Sequence, residues 1–80
     1  MEYSFKKLRG RIVEMFGKQE AFARALGLSP RSLSLKLNNE RYFKPCEISR
    51  SIELLNLCTT DIPEYFFTLK VQENELSNKG

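Results

Sequence analysis

Eighty residues, 41% of them hydrophobic and 29% charged, describe one small domain with a modest core and no space for a separate sensor or catalytic module. With no histidine and only two cysteines twelve positions apart, Cys46 and Cys58, a zinc finger and any His-based catalytic set are excluded. The net charge of +3 is unevenly placed: residues 1–50 hold eleven Lys/Arg against five Asp/Glu, residues 51–80 two against five, so the basic half suits a polyanion and the acidic half something else.

From Tyr3 to Phe16, Phe5, Leu8, Ile12 and Met15 or Phe16 recur at three- and four-residue steps. This predicts an amphipathic helix capped by Ser4, with Lys6, Lys7, Arg9 and Arg11 on its polar face and Gly17 as its stop. Lys18-Gln19-Glu20 opens a second helix. From Gln19 to Leu37 the chain reads as two short helices joined by a glycine turn. Ala23 stands where the helices must approach closely, and Gly27 supplies positive φ at the helix end. Leu28 is an apolar plug, and Ser29-Pro30 is an N-cap followed by proline at the first helical position. Leu33 and Leu37, four apart, face inward and leave Arg31, Ser34, Leu35 and Asn38 facing out. Asn38-Asn39 suits a left-handed stop. The pattern is a helix-turn-helix, which points to DNA.

Glu40 to Lys44 reads as a loop. Pro45 begins a fourth helix with Ile48, Ile52 and Leu55 inward and Glu47, Arg50 and Glu53 toward water. Its cap is poor, because neither Phe43 nor Lys44 has a side chain that accepts a backbone N–H. Thr60-Asp61-Ile62-Pro63 signals a short fifth helix through Tyr65-Phe66-Phe67. Beyond it, Phe67, Leu69 and Val71 alternate with Thr68 and Lys70, either as a strand or as a helix losing its period. Residues 73–80 read as a polar, flexible tail. The expected fold is all-α: a compact bundle of about five short helices over residues 1–72, with a short extended C-terminal segment. Both cysteines are expected as small reduced hydrophobes at or near the core.

The spacing from Gln19 through Ala23 and Gly27 to Leu33 resembles the Cro/CI-type helix-turn-helix of phage repressors and Xre-like bacterial regulators. Ser-Leu-Lys-Leu-Asn-Asn at 34–39, Ile62-Pro-Glu-Tyr-Phe-Phe67 and Lys70-Val-Gln72 are similar to short single-domain phage regulators, so the resemblance covers about residues 5–72. It implies a lambda-repressor-like fold whose second motif helix enters the major groove of an operator. Pro30, Arg31, Ser34 and Leu35 match the positions where related repressors place base readers. An arginine there can bond guanine O6 and N7 together, worth ~1–3 kcal/mol of discrimination. Ser34 suits a base or a phosphate, and Leu35 either a thymine methyl or burial against the fourth helix. Pro30 departs from the family, since it offers only apolar contact and leaves readout to Arg31 and DNA shape. Gln19 matches a phosphate contact at a helix N-terminus. Lys18, Ser29, Lys36, Asn38, Arg41, Tyr42 and Lys44 flank the recognition helix as candidate phosphate contacts.

Such small motifs read two half-sites as a two-fold dimer. Ile62 to Val71 is the one region rich enough in apolar residues to spare some for a partner, so Tyr65, Phe66, Phe67 and Leu69 are expected to divide between core and interface. The expected function is that of a sequence-specific, Cro-like transcriptional repressor on double-stranded operator DNA. The alternative is an antirepressor or modulator that grips another phage repressor through its helix-turn-helix or its apolar C-terminal surface. No catalysis, cofactor, metal or small-molecule ligand is expected. No apolar run nears the ~20 residues that span a bilayer and no signal peptide is evident, so the expected location is the cytoplasm, without membrane contact.

Overall fold

The computed structural model of the chain describes residues 2–70. Five helices follow in order: α1 (Lys6–Phe16), α2 (Gln19–Leu26), α3 (Pro30–Leu37), α4 (Pro45–Leu54) and α5 (Ile62–Phe66), with a single 3-10 turn at Thr59–Asp61 before α5. The all-helical bundle expected from periodicity is what forms. Val71 and the polar tail at 73–80 lie outside the described residues.

The inward stripes converge on one core. Leu8 and Ile12 of α1, Phe22 and Ala23 of α2, Leu33 of α3 and Leu55 after α4 are almost wholly shielded from solvent. Phe5, Leu26, Leu37 and Phe66 close the cluster. Phe16 meets Phe22 edge-on, with ring centroids 5.4 Å apart. The small Ala23 side chain sits at 0% exposure between the two motif helices, where added volume would force them apart.

Helix ends follow local chemistry. Gly27 adopts φ 85 and, with the Leu28 N–H bonded to the Ala23 carbonyl at 2.8 Å, turns the chain between α2 and α3. Ser29 Oγ accepts the Ser32 N–H at 3.1 Å, and Pro30 is the first helical residue. Asn39 and Asn56 take the left-handed stop after α3 and α4, with φ 65 and 56.

Some local expectations do not hold. Ser4 does not cap α1: the helix begins at Lys6 without a side-chain cap, and the Ser4 N–H instead donates to the Thr68 carbonyl at 2.7 Å. Residues 2–4 lie antiparallel to 68–70, with Tyr3 bridged to Leu69 and the Lys70 N–H bonded to the Glu2 carbonyl. The alternation after Phe67 is therefore extended chain that found a partner at the far end of the sequence. Glu47, expected in water, turns back so that its Oε1 accepts the Lys44 N–H at 2.9 Å, which repairs the poor start of α4. Cys46 and Cys58 are both exposed rather than near the core, because each lies at an element start, where the side chain precedes the inward stripe.

Candidate functional site

The α2–α3 pair sets the geometry of the outward surface. Leu33 and Leu37 are held in the core, so Pro30 and Arg31 are exposed at the N-terminal end of α3, and Ser34 and Leu35 are half-buried one turn on. These four expected base readers share one helix. Leu35 takes an intermediate position, neither free on the surface nor absorbed by the core. Among the described residues, Arg31 has no carboxylate within ion-pair distance.

The expected phosphate contacts separate into three groups. Lys18, Ser29, Arg41, Tyr42 and Lys44 are exposed, with Tyr42 at 82%. Lys36 is not. Its side chain is buried, and its Nζ donates to the Tyr42 carbonyl at 3.0 Å and pairs with Glu47 Oε1 at 3.1 Å. The reason is its place on the α3 face toward α4, where the long stem buries its methylenes and the ammonium needs an acceptor once out of water. Lys36 is thus a structural tie between α3 and the start of α4, with no free charge for a phosphate.

Gln19 and Asn38 are brought together by a residue that periodicity assigns only to the solvent face of α1. The Arg9 guanidinium donates to Gln19 Oε1 at 3.3 Å, to the Leu37 carbonyl at 3.2 Å and to Asn38 Oδ1 at 2.9 Å. One planar fork therefore joins α1, the start of α2 and the end of α3. Asn38 Nδ2 also approaches Ser34 Oγ at 3.5 Å. The motif is braced from behind, and two of its polar side chains already have intramolecular partners. A periodic sequence pattern could not reveal this, since Arg9 reads as one of four interchangeable cations on α1.

Of the C-terminal apolar residues, Phe66 goes to the core at 2% exposure, so its ring offers a partner little surface of its own. Its inward direction follows from α5, a single turn docked on α1 and α4. Tyr65 is half-buried, with the Lys7 ammonium 5.8 Å from its ring centroid. Phe67 and Leu69 remain 48% and 49% exposed. No helix among the described residues is long and apolar enough to cross a membrane, and no three of their Cys, Asp or Glu side chains gather into a metal-holding group.

Comparison with known proteins adds a relative of the same shape. The chain is similar to the modulator of repression of the temperate bacteriophage TP901-1 from Lactococcus lactis, known from its solution structure: identity is 46%, the match covers 90% of this chain and 97% of that one, and the TM-score is 0.75. No curated protein matches significantly. The family found carries no description as a Cro- or CI-type regulator; over residues 1–69 the chain belongs to the family described as "Protein of unknown function (DUF739)".

Proposed function

We propose that this protein modulates repression in a phage or prophage by binding a repressor protein. The observation that carries the reading is the match to a phage modulator of repression over nearly the full length of both chains. The state of the helix-turn-helix supports it. Lys36 is neutralised by Glu47, which takes one cation out of the phosphate-binding set inferred from sequence. Pro30 and the half-buried Leu35 add apolar surface where a groove-reading helix favours hydrogen-bonding groups. Exposed Phe67 and Leu69 offer a second apolar area. The protein acts in this reading within the bacterial cytoplasm, without catalysis or cofactor.

A second reading, direct operator binding through α3, rests on the exposed Arg31 guanidinium at the helix N-terminal end, which has no ion-pair partner among the described residues. Calorimetric titration distinguishes the two. Titrated against the repressor encoded in the same genome, the chain should bind, and titrated against the operator duplex alone it should give little heat. Tight duplex binding that weakens steeply with salt and disappears in Arg31→Ala would favour the second reading.

A further inference from the structure

Five aromatic rings run in an unbroken series across one end of the bundle. Phe67 meets Tyr3 edge-on at 5.5 Å, Tyr3 lies 6.3 Å from Phe5, Phe5 meets Phe43 at 5.5 Å, and Phe43 meets Phe66 at 5.3 Å. They do not close on one another. Together with Ile48 they wall a cavity of about 110 Å³, which the loop after α3 borders with Arg41 and Tyr42. The fixed position of the N-terminal segment, held by the bridge to Leu69 and by Asn39, keeps Tyr3 and Phe5 at this wall.

Size limits the occupant. Pockets that bury a metabolite or nucleotide measure roughly 300–1,000 Å³, whereas an apolar cavity of about 150 Å³ holds a single benzene. This cavity therefore fits one ring or one branched aliphatic side chain. Its aromatic walls and neighbouring arginine have the composition enriched at the centres of protein interfaces.

Charge limits it further. Tyr3, Phe5 and Asn39 also border an adjoining groove, whose ionisable side chains, Tyr3 apart, are Lys6, Arg9 and Lys70. With Arg41 at the cavity, four cations and, among the described residues, no carboxylate line the continuous surface. Of these, only Lys70 pairs with an acid among the described residues, Glu2 at 3.4 Å, and Arg9 spends its hydrogen bonds on neutral acceptors and keeps its charge. A segment crossing this groove gains from carboxylates and loses from cations.

We propose that this cavity and groove dock an acidic segment of the partner repressor, one apolar side chain inserted among the aromatic rings and flanking carboxylates set against Arg41, Lys6 and Arg9. The inference rests on the reading of the chain as a repressor-binding protein and names the surface that reading leaves open. Arg41 and Tyr42 are exposed, and the Tyr42 contact to Lys36 uses its backbone carbonyl, so both side chains can be altered without disturbing the fold.

The test is an NMR titration of the full-length 15N-labelled protein with the repressor protein of the same genome, paired with calorimetry of wild type, Arg41→Glu, Tyr42→Ala and Arg31→Ala. Amide shifts should centre on Tyr3, Asn39, residues 41–43 and Phe67. Arg41→Glu and Tyr42→Ala should each weaken binding by on the order of tenfold, with Arg31→Ala near wild type and affinity falling as salt rises. Binding that is unchanged in both loop variants, or shifts confined to the outward face of α3, would overturn the docking site while leaving repressor binding intact. Shifts at these residues on adding operator duplex alone would overturn the protein occupant. No binding of the wild-type chain to the repressor would remove the functional reading and this inference with it.

Discussion

The side chain of Asn39 clamps the backbone of Tyr3 at two points: its Nδ2 donates to the Tyr3 carbonyl at 2.9 Å and its Oδ1 accepts the Tyr3 N–H at 2.8 Å. Asparagine serves twice here, because it also adopts the positive φ of 65 that ends α3. The amide imitates a neighbouring strand's peptide group and anchors the N-terminal segment to the end of α3. The left-handed turn and the placement of Tyr3 are thus one interaction.

Asn39→Ala should remove both hydrogen bonds and add strain, since a residue with a Cβ and no local hydrogen bond is disfavoured at positive φ. The expected loss is about 2 kcal/mol, or roughly 8–16 °C in Tm for a domain of this size. Asn39→Gly relieves the strain without restoring the bonds and should fall between alanine and wild type. Thermal unfolding followed by circular dichroism checks this; equal Tm for wild type and Asn39→Ala would contradict it.

Lys36→Met should destabilise by ~3–5 kcal/mol, because it leaves Glu47 with 12% side-chain exposure and no countercharge. Adding Glu47→Gln should recover much of that loss, since the amide oxygen can still accept the Lys44 N–H. Urea unfolding of the two singles and the double gives the coupling directly. An independent, additive pair would show that the ion pair does not join α3 to α4.

Arg9→Lys should be nearly as damaging as Arg9→Ala, at about 1–3 kcal/mol, because an ammonium cannot reach Gln19, Leu37 and Asn38 with one rigid fork. The reading is the midpoint of denaturant unfolding at unchanged slope. If lysine matched wild type, the three contacts would be incidental to stability.

Much of the scaffold was legible in residue order, for reasons these variants make concrete. Leu8 and Ile12, or Leu33 and Leu37, repeat with the helical period, and Gly27 and Ser29-Pro30 mark backbone conformations that few other residues satisfy. The surface was less legible, because its decisive contacts join residues far apart in sequence. Nothing near Lys36 distinguishes a buried ammonium from a solvated one until Glu47 is brought across from α4. Arg9 reads like Lys6 and Lys7, although its acceptors on Leu37 and Asn38 lie 28 and 29 residues ahead. The short pairing of Tyr3 with Leu69 depends on the two chain ends meeting, which no local period encodes. The pattern of the α2–α3 pair therefore identified the frame but could not show that Lys36 was paired with Glu47 or that Gln19 and Asn38 were tied to Arg9.

The most direct test of the central claim is fluorescence anisotropy with labelled operator DNA, titrating the chain in the absence and presence of the repressor from the same genome. The chain alone should show no appreciable binding, and the anisotropy of the repressor–operator mixture should change saturably as the chain engages the repressor. Tight, salt-sensitive binding of the chain alone that is lost in Arg31→Ala, with the repressor's own binding unaffected, would contradict it.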